Sequence, residues 1–453
     1  MPRMGVRPAL AGMVAWVTLS VFQFGFGISE LNAIELQFTC REGDRCLRLS
    51  DNAFALVTTM FTVGGALSSL LCGSIARRLH MGRRNALQVS AGFSLVGSLL
   101  LWASSSLTLL SSARLLQGIG AGIGVVQVPM YLQEISPPSL SGEIGILNQV
   151  AVVTGIFCAQ AAGTMVMSSQ GAWWHVPEVS ALVALLQLVL GAVWAYESPG
   201  WLEGEGAQVA ARPGVPTAAT IRKQLWGHAT YEALQPPAAH TEPTPNAQPW
   251  QSSPAFRQGM WIVALTQMAQ QFSGVNAILY YSTGILSKLM PALANSVGLL
   301  ITVVNGLLTF PPIALISEDR LGRKALLVGS AGGMGAFCLL LAYCLWQALP
   351  LGSAVAILCV IACFSMGLGP VPFVILPEVI PPQYASLGSS FGLGINWVSN
   401  IIVAASFPPL RTALGAYDGH TGGLVFLVFG AANLLFAFWM ARDYRFERGH
   451  SIV

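Results

Sequence analysis

The chain's most informative segment is a run of polar residues inside an apolar stretch, at Gln270–Tyr281 (QQFSGVNAILYY). Two glutamines, a serine, an asparagine and two tyrosines lie there among residues apolar enough to cross a membrane. In hydrocarbon each unmatched polar group is costly, so these side chains must face protein, water or a ligand. Carboxamides donate and accept hydrogen bonds without carrying charge, which suits a neutral molecule rich in hydroxyl groups. The segment therefore predicts contact with a transported sugar or polyol.

The composition around this segment is that of a multi-pass membrane protein. Only 9% of the 453 residues are charged, 54% are hydrophobic, and the net charge is +3. This profile excludes a set of soluble domains and predicts an all-α membrane protein with twelve transmembrane helices. The apolar runs lie at 10–33, 53–76, 85–105, 107–132, 144–168, 178–197, 258–287, 295–317, 325–347, 353–376, 387–410 and 422–441.

The twelve runs fall into two sets of six. The sets define an N-terminal half at 1–199 and a C-terminal half at 258–453 that ends in a short cytoplasmic tail. Between them, residues 200–257 are polar and rich in Pro and Ala, which predicts a cytoplasmic linker that is partly helical or disordered. One short helix is expected in it, at Ile221–Trp226.

The basic residues predict the orientation of the spans. An even number of spans puts both termini on one side, and sixteen Lys and Arg residues fall on that side against five on the other. The positive-inside rule then places the termini and the linker in the cytoplasm. We expect a protein of the plasma or vacuolar membrane whose positive charge serves topology, with no nucleic-acid partner.

Two of the eight cysteines, Cys40 and Cys46, lie in a polar loop on the non-cytoplasmic side. Oxidising conditions there would allow a disulfide between them. The other six fall in apolar spans, where small buried packing residues are expected. No His accompanies the loop pair, so no metal site is predicted there. No cofactor is expected elsewhere in the chain.

The two halves repeat one another in sequence. Glu134 and Glu378 each begin the pattern E-x-x-P-P, in VPMYLQEISPP and VPFVILPEVIPP, and a basic turn precedes each (MGRR at 81–84, EDRLGRK at 318–324). The first spans also share QFGFG against QFSGV. Repeated six-helix halves with a substrate between them at mid-depth are typical of a rocker-type secondary transporter.

Six motifs occur in order along the chain: QGIGAG with PMYLQE (117–134), ESPGWL (197–202), QQFSGVNAILYYSTGI (270–285), EDRLGRK (318–324), GLGPVPF with PEVIPP (367–382) and NWVSN (396–400). Together they resemble the sugar porter branch of the major facilitator superfamily, above all its facilitative hexose transporters and their fungal relatives. The resemblance implies twelve helices in two halves and transport of a monosaccharide by alternating access. It implies a transporter and not an enzyme, and no nucleophile–base pair or phosphate loop argues otherwise.

The same resemblance implies a set of substrate contacts. Uncharged amides from both halves would meet sugar hydroxyls, Trp397 would stack on the sugar ring, and Phe373 replaces a family Trp, keeping its stacking face. A single amide in a span is more often a contact between helices, worth less than about 2 kcal/mol, and Gln160 is expected to be one. Six amides drawn from both halves favour a site. They are Gln149, Gln270, Gln271, Asn276, Asn305 and Asn396.

The amides of the seventh span can converge only if that helix bends. At about 100° per residue a straight helix would point Gln271 and Asn276 some 140° apart. Gly tolerates non-helical dihedrals, and broken helices are allowed where they line a cavity, so we expect a kink and a gate near Gly274. Tyr280 and Tyr281, farther along, are candidates either for a lid or for the interfacial aromatic belt.

Charged residues at the cytoplasmic helix ends predict a latch that forms when the cavity opens outward and breaks when it opens inward. Anchoring by the positive-inside rule would explain each Arg taken singly. Ser141, Ala385 and Gly200 stand where the family has Arg, and the family's acidic motif after the last span is missing, which predicts a weaker latch. The latch residues are Arg83, Arg84, Glu134, Glu318, Asp319, Arg320, Arg323, Lys324 and Glu378.

Energy coupling is predicted to be passive. Proton-driven members of the family carry an Asp on the first span beside an Arg on the fourth; the Arg is matched by Arg114, but the acid's position is Gly27. Glu30 lies nearly one turn farther along and is a candidate for coupling. It could instead lie at the membrane surface or neutralise Arg114.

The expected substrate is a hexose, with pentoses, polyols and inositol-like solutes as alternatives, because Phe373 and Ser365 depart from the family pattern. Proton-coupled symport is one alternative mechanism. A sugar sensor with little transport is another, although about a dozen residues after the last span leave little room for a signalling tail. The protein is expected to work as a monomer in the lipid bilayer.

Overall fold

The computed structural model is helical over most of the residues that it describes. It describes residues 7–31, 49, 51–168, 173–204, 206–234, 253–278, 294–317, 320–381, 384–415 and 423–443. The proposed disulfide, lid and latch positions Cys40, Cys46, Tyr280, Tyr281, Glu318 and Asp319 lie outside these residues.

Six long helices form the N-terminal half. Several begin with residues suited to helix starts: Pro8 is the first residue of its helix, and Ser106 accepts a hydrogen bond from the Leu109 N–H at 3.3 Å. The helices are α1 (Pro8–Glu30), α2 (Asp51–Arg78), α3 (Arg83–Trp102), α4 (Leu107–Ile135), α5 (Ser141–Ser168) and α6 (His175–Val193).

Helices α1 and α5 meet at glycines. A Cβ atom on Gly25 would lie 1.9 Å from the Val152 carbonyl oxygen, and one on Gly155 would lie 2.1 Å from that of Phe22. Small residues let helices approach closely in a membrane, where packing and not the hydrophobic effect holds them together. This contact fixes the backbone of α5 on which Gln149 is carried.

The linker contains more helix than the sequence predicted. The single helix expected at Ile221–Trp226 begins earlier, because Thr217 caps it by accepting from the Thr220 N–H at 3.2 Å. Its Trp226 Nε1 donates to the Ile135 carbonyl at the end of α4 at 2.7 Å. The linker helices are α7 (Pro199–Glu203), α8 (Ala207–Ala210), α9 (Ala218–Trp226) and α10 (His228–Leu234).

In the C-terminal half, three of the predicted spans are interrupted: the seventh near Gly274, the eighth at 309–310 and the tenth at 367–370. The tenth span, expected to be continuous over 353–376, ends one helix at Met366 and begins the next at Val371, because Gly367–Pro370 break the ladder. The helices described are α11 (Pro254–Phe272), α12 (Ala294–Leu308), α13 (Pro311–Leu315), α14 (Gly322–Trp346), α15 (Pro350–Met366), α16 (Val371–Glu378), α17 (Ala385–Gly415) and α18 (Val425–Asp443).

Ten helical spans in the described residues are long and apolar enough to cross a membrane, α15 and α16 counting as one, and Leu300–Leu315 is a shorter apolar stretch. Two compact units divide the chain: Met1–Met260 with Ile380–Phe391, and Trp261–Val379 with Gly392–Val453. The first seven residues of α17, about two turns, thus belong to the first unit and the rest to the second.

Candidate substrate-binding site

The seventh span is interrupted where the sequence predicted a bend. Helix α11 ends at Phe272, Gly274 has φ +83°, and the chain is helical again from Val275. A residue with a side chain rarely adopts that φ, so the break requires glycine. Across the break, Asn276 Nδ2 donates to Gln271 Oε1 at 2.6 Å. Two amides that a straight helix would separate therefore converge.

An amide network extends from this pair to α17. Gln271 Nε2 donates to Asn396 Oδ1 at 2.9 Å, and Asn400 Nδ2 donates to Gln271 Oε1 at 2.9 Å. Asn396 Nδ2 in turn donates to Gln267 Oε1 at 2.7 Å and to Gln270 Oε1 at 2.8 Å. Three predicted residues, Gln270, Gln271 and Asn396, thus lie within direct hydrogen-bonding reach of one another, and Asn276 joins them through Gln271.

The deeper members of the network are tied to the turn between α15 and α16. Gln270 Nε2 donates to the carbonyls of Leu368 and Gly369, both at 2.9 Å, and Gln267 Nε2 donates to that of Pro372 at 3.3 Å. Both glutamines are buried. The Gln270 amide thus supplies a donor to the Leu368 and Gly369 carbonyls, which lie in the turn between the two helices.

Asn276, Asn396 and Asn400 are only partly buried, so they form the accessible edge of the network. Each hydrogen bond between two amides can be replaced by two bonds to a hydroxyl group, which both donates and accepts. The amide network of α11 and α17 carries no charge, so it offers an ion no group of opposite charge. Its members are Gln267, Gln270, Gln271, Asn276, Asn396 and Asn400. The arrangement can therefore bind a neutral polyhydroxylated molecule.

The other predicted contacts of the C-terminal half lie on nearby elements of the second unit. Asn305 on α12 is buried, and its Oδ1 accepts from Ser365 Oγ at 2.8 Å. Phe373 near the start of α16 and Trp397 on α17 are both buried aromatic residues. Among the described residues, no hydrogen bond links Asn305 or Phe373 directly to the amide network of α11 and α17.

Gln149 belongs to the first unit. Its side chain is 7% exposed on α5, and it makes no hydrogen bond to another described residue. An amide that keeps some access to solvent and has no protein partner retains its full capacity to bind a ligand. The helix contact expected of Gln160 is present, since its Nε2 donates to Ser29 Oγ at 3.0 Å.

Glu30 and Arg114 form a buried ion pair in the first unit. Arg114 Nη1 lies 3.3 Å from Glu30 Oε2, and the side chains of Arg114 and Glu30 are 1% and 0% exposed. Gln117 Nε2 also donates to Glu30 at 3.0 Å, Arg114 Nη2 donates to the Gly27 carbonyl at 2.8 Å, and the Phe61 ring centroid lies 4.4 Å from the guanidinium carbon. The contact fits neutralisation of Arg114 by Glu30.

A charged cluster joins the ends of several helices in the first unit. Arg83 Nη2 pairs with Glu134 Oε1 at 3.3 Å, and Ser198 Oγ donates to the other Glu134 oxygen. Glu197 accepts from the backbone N–H groups of Arg84 and Ser198, both at 2.9 Å. Burial raises the pKa of the Glu197 carboxyl, and these two N–H groups oppose the shift. Arg84 itself donates to the Gly191 carbonyl at 2.6 Å.

The corresponding pair in the second unit is Arg323 with Glu378. It is bidentate, with Nε–Oε2 at 2.7 Å and Nη2–Oε1 at 2.6 Å, and both side chains are 11% exposed. Arg320 and Lys324 make no ion pair with the residues described. Each of these two ion pairs lies within one unit.

Sequence reasoning missed four residues of these clusters. Gln267 lies three residues before Gln270 on the same helix face, and Asn400 lies four after Asn396, so helical spacing could have found both. Gln117 lies three residues from Arg114 for the same reason. Glu197 is the first residue of the ESPGWL motif, so the motif itself could have indicated it.

Comparison with known proteins places this geometry in context. Residues 9–445 match the family model described as "Sugar (and other) transporter". The solute carrier family 2 facilitated glucose transporter member 3 of Rattus norvegicus is 30% identical over 469 residues, which cover 95% of this chain and 89% of that protein. A probable metabolite transport protein of Saccharomyces cerevisiae is 29% identical over 446 residues, covering 92% of this chain and 89% of the relative.

Among solved structures, the proton:xylose symporter XylE of E. coli, bound to 6-bromo-6-deoxy-D-glucose, superimposes with a TM-score of 0.79. The match covers 96% of this chain and 95% of XylE at 20% sequence identity. At that identity the likeness shows the fold, which is that of the major facilitator superfamily. The predicted fold class, twelve membrane helices in two six-helix halves, is confirmed.

Proposed function

Since this chain belongs to the family of sugar (and other) transporters, we propose that it carries a neutral monosaccharide across a membrane by alternating access. A hexose is the proposed substrate and facilitative uniport the proposed mechanism. The relatives support the class of substrate, because one is a facilitated glucose transporter by name and the structural neighbour a xylose symporter.

The observation that carries the proposal is the amide network at the broken seventh span. Gln271, Asn276, Asn396 and Asn400 form a cluster without ionised groups, partly open at its edge. A sugar offers several hydroxyl groups that can exchange places with the amide–amide bonds. We propose that these amides with Gln149, Gln270, Asn305, Trp397 and Phe373 make the substrate site, and that Gly274 with Tyr280 and Tyr281 forms its gate.

A direct test is initial-rate uptake of radiolabelled D-glucose into liposomes containing the purified protein. Gln149→Ala and Asn276→Ala should each raise KM by about tenfold, because each removes hydrogen bonds worth roughly 1 to 1.5 kcal/mol. Gln160→Ala, which removes a helix contact outside the site, is the matched control. Competition by unlabelled xylose, fructose and inositol then ranks the substrates. Unchanged KM in both site variants would remove these residues from the site.

Proton symport is the second candidate, and the buried Glu30–Arg114 pair favours it. The pair also fits uniport, since a carboxylate held by Arg114 and Gln117 is a stable counter-ion with no need to titrate. We expect uptake to be unchanged by a protonophore and by external pH between about 5.5 and 7.5, because a uniporter moves no proton with the sugar. Accumulation against a sugar gradient that collapses with the protonophore would replace uniport by symport.

The distribution of Lys and Arg supports cytoplasmic termini and a cytoplasmic linker, in either the plasma or the vacuolar membrane. The pairs Arg83–Glu134 and Arg323–Glu378 are proposed to form the cytoplasmic latch. Arg84, Arg320, Lys324, Glu318 and Asp319 are proposed to contribute to it, and the protein to work as a monomer.

A further inference from the structure

The last helix of each half carries a buried amide that reaches the first helix of the same half, but the two amides bond to different groups. In the first half, Gln187 on α6 donates to Ser20 Oγ and accepts from Gln23 Nε2, both at 2.7 Å. Its target helix α1 is unbroken. In the second half, Asn433 on α18 donates to the backbone carbonyl of Ser273 at 3.0 Å, within the break of the seventh span.

The orientation of the Asn433 amide follows from its surroundings. The side chain is 0% exposed, and Nδ2 lies within hydrogen-bond distance of two carbonyl oxygens, that of Ser273 and, at 2.9 Å, that of Phe429 on its own helix. A flipped amide would place Oδ1 against both oxygens. Oδ1 has no hydrogen-bond partner among the described residues. Asn433 therefore acts here as a donor, through the two hydrogens on Nδ2.

Phe429, one turn before Asn433, touches the same break from the same helix. A Cβ atom on Gly274 would lie 2.7 Å from its Cγ, so the ring fills the space that a side chain at 274 would need. The ring is held in turn by Phe407 and Phe426, with ring centroids 6.2 Å away in each case. Helix α18 therefore contacts the break twice, through a hydrogen bond at Ser273 and through packing at Gly274.

A backbone carbonyl beside a helix break needs a donor from outside its own helix when it lies at membrane depth. Asn433 provides one only while the chain is bent, because the position of the Ser273 carbonyl depends on the break. We propose that Asn433 is a positioning residue that stabilises the broken form of the seventh span and so brings Gln271 and Asn276 together. The proposal rests on the proposed function, because Gln271 and Asn276 are there proposed to bind the sugar once they converge.

The first test needs no transport. Hydrogen–deuterium exchange of the purified full-length protein is compared between wild type and Asn433→Leu, which keeps a similar volume but has no donor. The amides at 275–278, including the Ile278 N–H that bonds to the Gly274 carbonyl, should exchange about three- to tenfold faster in the variant, the range expected for one hydrogen bond in a membrane protein. Gln187→Leu should leave exchange at 275–278 unchanged.

The second test measures sugar uptake in liposomes. Asn433→Leu should raise KM by about three- to tenfold, and Asn433→Gln should recover part of the loss because it restores an amide donor. The effects of Asn433→Leu and Gly274→Ala should be non-additive, since both act on one break, whereas Gln187→Leu and Gly274→Ala should be additive. A general loss of folding would give neither rescue by Asn433→Gln nor a non-additivity restricted to Asn433→Leu with Gly274→Ala.

The outcomes separate the two claims. Exchange at 275–278 unaltered in Asn433→Leu overturns the positioning role, whatever the uptake. If that variant does not fold, Asn433→Ala and Asn433→Ser provide the same comparison. A wild-type protein that takes up no sugar overturns the proposed function, while the exchange comparison still decides the role of Asn433.

Discussion

Gly274→Leu should reduce sugar uptake by at least about tenfold while the protein remains in the membrane. Two physical effects add at this position. Gly274 has φ +83°, where an L-residue is strained by about 1–2 kcal/mol. A Cβ there would lie 2.7 Å from Phe429 Cγ and 3.0 Å from both Cδ atoms, and overpacking of this kind costs about 1–3 kcal/mol more.

The backbone can relieve both costs by leaving the left-handed region, which straightens the span and separates Gln271 from Asn276. The measurement is initial-rate uptake normalised to protein in the liposomes, with detergent-solubilised size-exclusion profiles to confirm folding. Gly332→Leu on α14 is the matched control, because a Cβ on Gly332 meets nothing within 4 Å. Normal uptake by Gly274→Leu would contradict the role given to the break.

Glu30→Leu should strongly destabilise the first unit. Removing the carboxylate leaves Arg114 charged and 1% exposed, and breaking a buried pair in this way costs about 3–5 kcal/mol. We expect the thermal unfolding midpoint of the purified protein to fall by roughly 5 °C or more. Intrinsic tryptophan fluorescence during heating measures it.

The control for that prediction is the double change Glu30→Leu with Arg114→Met, which replaces both charges by apolar groups and should recover most of the lost stability. Uptake by the double variant then shows whether Glu30 serves only as the counter-ion of Arg114 or also couples transport to protons. A uniporter retains exchange of sugar across the membrane, and a symporter loses its proton dependence. A single variant as stable as the wild type would show that Arg114 is neutralised elsewhere.

The fold could be read from the sequence because hydropathy alone specifies membrane spans. Twelve apolar runs and repeated motifs predicted the two six-helix halves that the comparison with XylE confirms. The break at Gly367–Pro370 was not predicted, because a hydropathy window averages over the four residues that interrupt the helix. Linker helices were underestimated for a different reason: their stability comes from caps such as Thr217 and from the Trp226 bond to α4.

The candidate site was predictable only in part. Gln271 and Asn276 stand out as amides in an apolar run, and their 140° separation on a straight helix predicts the need for a bend near Gly274. Asn433 gives no such signal. It is a single amide 160 residues from Ser273, and only the packing of α18 against the break brings the two together. A contact that depends on tertiary packing leaves no local sequence pattern from which it could be predicted.

The most direct test of the central claim is counterflow. Liposomes containing the protein are loaded with unlabelled D-glucose and diluted into a trace of labelled D-glucose, with no ion gradient. The amide site at a broken seventh span predicts a transient accumulation of label in the wild type, abolished in Gly274→Leu and strongly reduced in Gln271→Ala, but retained in Gly332→Leu. No accumulation by the wild type with glucose or any other monosaccharide would contradict it.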